Sequence, residues 1–293
     1  MHFCFIIEAR YRSEHIPIVI AQQLMQWGHE VDLLEPQTTI TCLSDLTKVH
    51  YDAYVLKTVS DGPGLSILEA AEVAGIPTIN HSQAIRQVRD KAVAISRAHA
   101  YGIPVPHTFF VTHPDLLVQI PYDNYPLIVK PTNGSSCRGI YKISNPGELA
   151  TLHITEADEC FFLAQQYVEN NGFDIKLYVT GKQVFAVAKR SPLHPEIEVS
   201  KCRIPVSKQL RDLALRVGDI FGLEIYGLDV VDTAFGPIVV DINDFPSFGL
   251  VPDAVELVAS HMIEIAARNG VHHMNFPQAT LLTSHLEELA ASA

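Results

Sequence analysis

The chain predicts an α/β protein built in lobes, with an open parallel sheet first and antiparallel hairpins after it. Three observations carry this. Residues 2–80 alternate short apolar strands with helical stretches, the pattern of a parallel sheet packed by helices. From residue 125 onward the strands are joined by short turns, an antiparallel style. The stretch GPIVVDINDFPSF (236–248) then sets acidic and amide side chains inside a run of Val and Ile, which makes a poor core and a good ligand face.

HFCFIIE (2–8) reads as a buried first strand. Ile16 to Trp27 has helical apolar spacing, and Gly28 suits the cap that ends it. VDLLE (31–35) and YDAYVLK (51–57) are the second and third strands. LSILEAAEVAG (65–75) is a helix ended by Gly75, and IPTIN (76–80) is a short strand. The first lobe closes near His81, giving 1–81. SQAIRQVRDKAVAISRAHAYG (82–102) reads as one helical stretch opening a central lobe, 82–165. Within and after it, YPLIVKP (125–131), GIYKI (139–143), CFFLAQQYV (160–168), FDIKLYVTG (173–181) and KQVFAVAKR (182–190) are strands, with one helix around PGELATL (146–152). Thr180-Gly181-Lys182 makes a hairpin turn. A helix at 207–222, the hairpin from YGLDVVDT (226–233) into VVDIN, and an amphipathic helix at 253–270 complete a third lobe, 166–270. The tail, 271–293, reads as a surface appendage.

The chain has 293 residues, 47% of them hydrophobic, enough for a large core or for two or three smaller ones. Its 21 basic and 33 acidic residues leave a net charge of −12, which excludes a general attraction for nucleic acid. No stretch approaches the ~18 apolar residues of a membrane span, and the start lacks the basic region and cleavage site of a signal peptide. Five scattered cysteines, never in a C-x-x-C pair, predict no disulfide framework or zinc site and fit a reducing cytoplasm. A small-molecule substrate is expected, and a homo-oligomer is compatible with this composition.

Asp241 and Asn243 lie two apart on one strand and share a face. If the turn centres on Phe235, Asp229 on the preceding strand is the cross-strand neighbour of Asp241. Two carboxylates and an amide oxygen suit a hard cation such as Mg²⁺. Lys130 ends an apolar strand and precedes a small-residue loop, TNGSSCRG (132–139), whose N–H groups can approach phosphate oxygens. A tight hairpin with a snorkelling lysine is the competing reading. Asp174 and Lys176 share one strand face, either functional or merely solvated. The doublet Lys189-Arg190, with Arg203 nearby in sequence, offers charge to an anionic intermediate or substrate, or is a solvated strand end. Arg10, Arg12 and His15 follow the first strand, where open parallel sheets place ligands, so they form a candidate substrate wall; plain surface charge is the alternative. No Ser-His-Asp order, H-E-x-x-H, G-x-S-x-G or G-x-G-x-x-G string is present.

The order of NHSQAIRQVRDK, GIPVPHT, PLIVKP with its small-residue loop, QQYV, DIK, GLDVV and VVDIN resembles the ATP-grasp superfamily over roughly residues 1–270. Within it the chain looks most like RimK-type ligases and the neighbouring inositol phosphate kinases. The resemblance implies an open α/β lobe, a small central lobe and a C-terminal lobe, with ATP between the last two. It implies that Lys91 and Lys130 bind the ATP phosphates and that a loop with Gly134, Ser135, Ser136 and Gly139 closes over them. Gln166, Tyr167 and Val168 would hold the adenine, and Asp174 would meet the ribose side. Asp229, Asp241 and Asn243 would ligate Mg²⁺, with two ions the usual number and Mn²⁺ a workable substitute.

Two departures from the RimK pattern stand out. Asp241-Ile242-Asn243 replaces Glu-Val-Asn, and AKRSPLHPEIEVSKCRIPV replaces the family's Arg-Ser-Asn and Gly-Gly stretch and looks closer to inositol phosphate kinases. Two reactions follow from the resemblance. A ligase would phosphorylate a carboxylate and let an amine displace the phosphate, with Lys189 and Arg190 beside the acylphosphate. A kinase would phosphorylate an inositol phosphate, and would need Arg10, Arg12, Lys57, Arg138, Lys189, Arg190 and Arg203 to converge. An inactive ATP-binding protein is the third reading. The length and the first 130 residues favour the ligase.

Overall fold

Thirteen strands in three sheets and six α-helices make up the computed structural model, which describes residues 1–11, 15–58, 62–132, 139–151, 161–194 and 196–273. The first sheet is parallel, in the order β2-β1-β3-β4, from β1 (His2–Ile7), β2 (Glu30–Leu34), β3 (Ala53–Lys57) and β4 (Thr78–Ile79). Its central strands β1 and β3 are apolar on both faces because both are covered. Phe3, Phe5 and Ile7 pack toward α1 (His15–Gln26) and α6 (Ala254–His273). Cys4, Ile6, Tyr54 and Leu56 pack toward α2 (Gly64–Val73). Burial pushes the Cys4 thiol up to about 12, so it behaves as a small apolar side chain.

The 82–102 stretch is two helices, α3 (Ser82–Arg89) and α4 (Lys91–Ala100), not one. Asp90 between them is extended, and its carboxylate accepts hydrogen bonds from the Ala92 and Val93 N–H groups. An N-cap placed there starts a new helix at Lys91 instead of continuing the old one. Ala84, Val88 and Ala98 of this pair are buried against the third sheet.

The second sheet, β5-β8-β6-β7, is antiparallel, from β5 (Thr108–Val111), β6 (Leu127–Pro131), β7 (Tyr141–Ile143) and β8 (Phe162–Gln166). The segment around Pro146–Thr151 is a 3-10 turn instead of an α-helix, tied by Glu148 to the Ser144 N–H and by Asn145 to the Gly147 N–H. The third sheet, β11-β10-β9-β12-β13, is also antiparallel, from β9 (Phe173–Thr180), β10 (Gln183–Arg190), β11 (Cys202–Ile204), β12 (Ile225–Thr233) and β13 (Gly236–Asn243). The Gly181-Lys182 turn joins β9 to β10, as the sequence predicts. The sequence pattern did not reveal β5 and β11, which are short edge strands with little alternation to read.

One face of the third sheet is core. Ile175, Leu177, Leu228, Val230, Val239 and Ile242 pack against Leu213, Ala214, Val217 and Phe221 of α5 (Lys208–Phe221). The other face shares its apolar end with the first sheet, through Tyr178, Val187 and Ile225, and leaves its middle open. No helix among the described residues is long and apolar enough to cross a membrane. Residues 274–293, which include most of the tail, lie outside the described residues.

Candidate active site

The open middle of the third sheet forms the floor of a cleft of about 630 Å³, walled by the second sheet on one side and by the ends of the first on the other. Cross-strand register builds the floor. Lys189 faces Asp174, Lys176 faces Asp229, and Asp229 faces Asp241. These side chains and Asn243 all line the cleft.

The pairing of Asp229 with Asp241 holds, but the turn is not centred on Phe235. Thr233 pairs with Gly236, so the loop is Ala234-Phe235 and the simple ladder would set Asp229 against Val240. A β-bulge between Asp229 and Val230 restores the predicted partner by inserting Val240 as an extra residue. The bulge also decides which way the ligands face. Strand side chains alternate, so Val239, Asp241 and Asn243 would otherwise share the core face. With the extra residue, Val239 and Ile242 are buried beside α5 while Asp241 and Asn243 face the cleft. The Val240 carbonyl accepts a hydrogen bond from Lys130 Nζ at 2.9 Å, which brings the buried lysine of β6 across the cleft to β13.

Charge on the floor is matched. Lys189 Nζ lies 2.9 Å from Asp229 Oδ1 and 3.9 Å from Asp174, and Lys176 Nζ lies 3.4 Å from Asp229 Oδ2. Burial alone would raise the Asp229 carboxyl, but the two lysines outweigh it and hold the group below the ordinary aspartate value. Asp174 goes the other way: burial raises it, and Ser191 and Lys189 offset that only in part. Asn243 Nδ2 lies 3.4 Å from Asp229 Oδ2. Among the described residues no three His, Cys, Asp or Glu side chains gather as a metal site. The residues that could hold a cation here are two carboxylates, Asp229 and Asp241, and the Asn243 amide. Three oxygen donors on one rigid hairpin fit Mg²⁺, provided that the Asn243 amide turns its oxygen inward.

The second-sheet wall holds Ile128 and Lys130 of β6 and Gln166, Tyr167 and Val168 at the end of β8, and Lys91 at the start of α4 also lines the cleft. The Gln166 N–H donates to His107 O at 2.8 Å and the Tyr167 N–H to Pro126 O at 2.7 Å. These bonds fix the strand end, and Val168 follows as the first residue whose N–H is not consumed among the described residues. Gly139 is described and sits next to Ile140, a cleft residue, while Gly134, Ser135 and Ser136 lie outside the described residues.

On the opposite wall, Tyr11, Lys57, Arg89 and Asp244 line the cleft, and of these the sequence reading weighed only Lys57. Lys57 Nζ donates to Phe245 O at 2.6 Å and lies 4.9 Å from the centre of the Tyr11 ring. Arg89 grips Asp244 with two bonds, 3.2 and 2.9 Å, and also donates to the Thr58 carbonyl at 3.1 Å. Arg89 is one residue from the Asp90 that starts a new helix, which is why it and Lys91 both reach the cleft. Asn80 is 3% exposed and uses its whole amide: Nδ2 donates to Ile225 O and Asp244 O, and Oδ1 accepts from the Glu224 and Ile225 N–H groups. Gly227 is needed where Pro246 folds back on β12, since a Cβ there would meet the Pro246 ring at 3.0 Å and the Leu177 carbonyl at 3.2 Å.

Two expected residues lie elsewhere. Arg190 pairs with Phe173, one step past Lys189, so alternation turns it away from the cleft, and it is exposed. Arg203 is exposed on edge strand β11. Arg12 and the side chains of Arg10 and His15 lie outside the described residues, as does Arg138. Of the seven cations required by a polyphosphate acceptor, Lys57 and Lys189 are therefore the described ones in the cleft.

Comparison with known proteins adds the following. A RimK-like ATP-grasp domain matches residues 88–265. The chain is 25% identical over 273 residues to a probable alpha-L-glutamate ligase of Vibrio vulnificus strain YJ016, covering 85% of this chain and 90% of that one. In fold it is similar to a RimK domain ATP-grasp protein of Sphaerobacter thermophilus, with TM-score 0.69, 18% identity, and coverage of 91% of this chain and 100% of that one. It is also similar to D-alanine–D-alanine ligase of Bacillus anthracis, with TM-score 0.67, 16% identity, and coverage of 93% and 98%.

Proposed function

The chain belongs to the RimK-like ATP-grasp family, and on that premise we propose that it is an ATP- and Mg²⁺-dependent carboxylate–amine ligase working through an acylphosphate. The observation that carries this is the bulged hairpin: it turns Asp229, Asp241 and Asn243 into a cleft that also holds Lys91 and Lys130. Such a set of cation and phosphate ligands suits phosphoryl transfer by positioning and charge neutralisation.

ATP is a substrate here. Lys91 and Lys130 bind its phosphates, and the wall at Gln166–Val168 takes the adenine. Asp229, Asp241 and Asn243 would hold Mg²⁺, which would supply charge neutralisation to the transferring group. Lys176 and Lys189 keep Asp229 ionised and ready to bind the cation. The γ-phosphoryl group passes to a carboxylate oxygen and ADP is released. The amine nitrogen then attacks the acyl carbon, the C–O bond to phosphate breaks, phosphate leaves with that oxygen, and the nitrogen gives up a proton. Lys189 is the described cation on the floor placed to steady the acylphosphate. The acceptor enters beside Tyr11, Lys57 and Arg89, beyond the carboxyl ends of parallel strands.

The names of the relatives support amino acids as the substrate class, since one is a glutamate ligase and another joins D-alanine to D-alanine. The test is phosphate release from Mg²⁺-ATP against pools of amino acids and small carboxylates. Release that requires a carboxylate and an amine together, with ADP and an amide as co-products, is the expected result. A stable phosphorylated acceptor with no free phosphate would overturn the ligase reading.

A further inference from the structure

The segment after β10 does not reach the acceptor wall. Ser191, Pro192 and Leu193 line the cleft beside Tyr167, Val168 and Asn170, the end assigned above to adenine. A clamp holds them there. The Tyr167 hydroxyl lies 2.8 Å from His194 Nε2, and His194 Nδ1 lies 3.1 Å from Glu196 Oε1. The Glu196 carboxylate accepts a hydrogen bond from Nδ1–H, so Nε2 is left as the acceptor for the tyrosine hydroxyl. Short turns shape the segment: the His194 N–H donates to Ser191 O and the Ile197 N–H to His194 O. Its far end rests on the β8–β9 connection at Gly172, where φ is +79° and an added Cβ would collide with Ile197 and lie 3.8 Å from His194 Cγ. Lys142 of β7 lies over the other side of the Tyr167 ring, 3.9 Å from its centre.

We propose that His194 is a positioning residue for the nucleotide. By fixing the Tyr167 ring and the Ser191–Leu193 wall against each other, it sets the width of the base slot and makes the enzyme select adenine over guanine. The inference rests on the reading that the Gln166–Val168 end holds the base. No local signal in the sequence marks His194, because its partner lies 27 positions away, just past the end of β8.

The experiment is calorimetric titration of Mg²⁺-ATP and Mg²⁺-GTP into the full chain and into His194→Ala, His194→Gln, Tyr167→Phe, the His194→Ala/Tyr167→Phe double variant, and Ile128→Trp. Loss of a side-chain hydrogen bond predicts ATP binding weaker by roughly three- to tenfold in His194→Ala and in Tyr167→Phe. The double variant should lose no more than either single one, because both remove the same bond. His194→Gln, which keeps a polar group near Nε2, should restore most of the affinity and the ATP-over-GTP preference. Ile128→Trp fills the base end of the cleft and should abolish binding. Normal ATP affinity and selectivity in His194→Ala, or fully additive losses, would overturn the proposal while leaving the nucleotide site standing. Normal ATP affinity in Ile128→Trp would instead overturn the assignment of the base to this end.

Discussion

The first and third sheets are of similar size and meet in one core, yet they carry their polar chemistry in different places. The central strands β1 and β3 of the parallel sheet are covered on both faces, so their interiors hold only apolar side chains, and their functional groups stand at strand ends, Lys57 as the last residue of β3 and Tyr11 after β1. The antiparallel sheet is covered by α5 on one face and open in the middle of the other, so it carries Asp174, Lys176, Lys189, Asp229 and Asp241 within its strands and Asn243 at the end of β13. The lesson is about rigidity. Asp229 on β12 is held by ladders to β9 and β13 on both sides, and Asp241 and Asn243 on edge strand β13 by the ladder to β12, which suits a site of fixed geometry. A residue at a strand end sits on a connection that can vary, which suits the part of the site that chooses a substrate.

If that division is right, the largest loss follows from removing a mid-strand ligand. Asp241→Ala should lower ATP turnover on the order of a thousandfold while the protein still melts cooperatively, read by coupled ADP production and a thermal scan. Turnover near the wild-type rate would remove Asp241 from the cation set and break the comparison at its strongest point. The next effect concerns the joint between the sheets. Arg89 and Asp244 are 7% and 14% exposed, so Arg89→Met strands a buried carboxylate and should cost about 3–5 kcal/mol in denaturant unfolding. A cost under ~1 kcal/mol would mean that Asp244 is solvated and the joint unimportant. At a strand end, Lys57→Ala should raise KM for the acceptor roughly tenfold and leave KM for ATP where it was. An equal rise in both would place Lys57 on the nucleotide side and blur the division.

The smallest effect lies outside the cleft. His261, on α6, sits between Glu224 at 2.8 Å and Glu264 at 3.1 Å. Burial lowers its basicity, but the two carboxylates outweigh that and hold it above the ordinary histidine value. A folded-state value raised in this way stabilises fully at pH below the unfolded value of ~6.5, and the benefit is lost as pH rises through the folded value. The difference in melting temperature between the wild type and His261→Gln should therefore shrink from about pH 6 to about pH 9. A difference that does not change with pH would show that the imidazole is not charged in the fold.

Much of the site could be read one residue at a time. Lys130 stands out because a lysine is costly in an apolar surrounding, Lys91 only through the family resemblance, and Asp241 and Asn243 because two polar residues at period two in a β run share a face. Arg89, two positions before Lys91, and Asp244, next to Asn243, escape the sequence reading because an arginine and an aspartate 155 positions apart give no local sign of pairing. Arg190 was grouped with Lys189 because sequence adjacency looks like proximity, whereas on a strand it means opposite faces. The break at Asp90 was missed because the helical spacing of apolar residues continues across it.

By itself the chain determines the parallel and antiparallel halves, the main strands and helices, and the residue types of a cation-and-phosphate site, because periodicity and side-chain chemistry are local properties. Only the tertiary structure decides that Val240 bulges, that the bulge turns Asp241 and Asn243 toward Lys130, and that His194 closes on Tyr167. These depend on register and on contacts between distant segments, where one residue of phase moves a carboxylate from the core to the cleft.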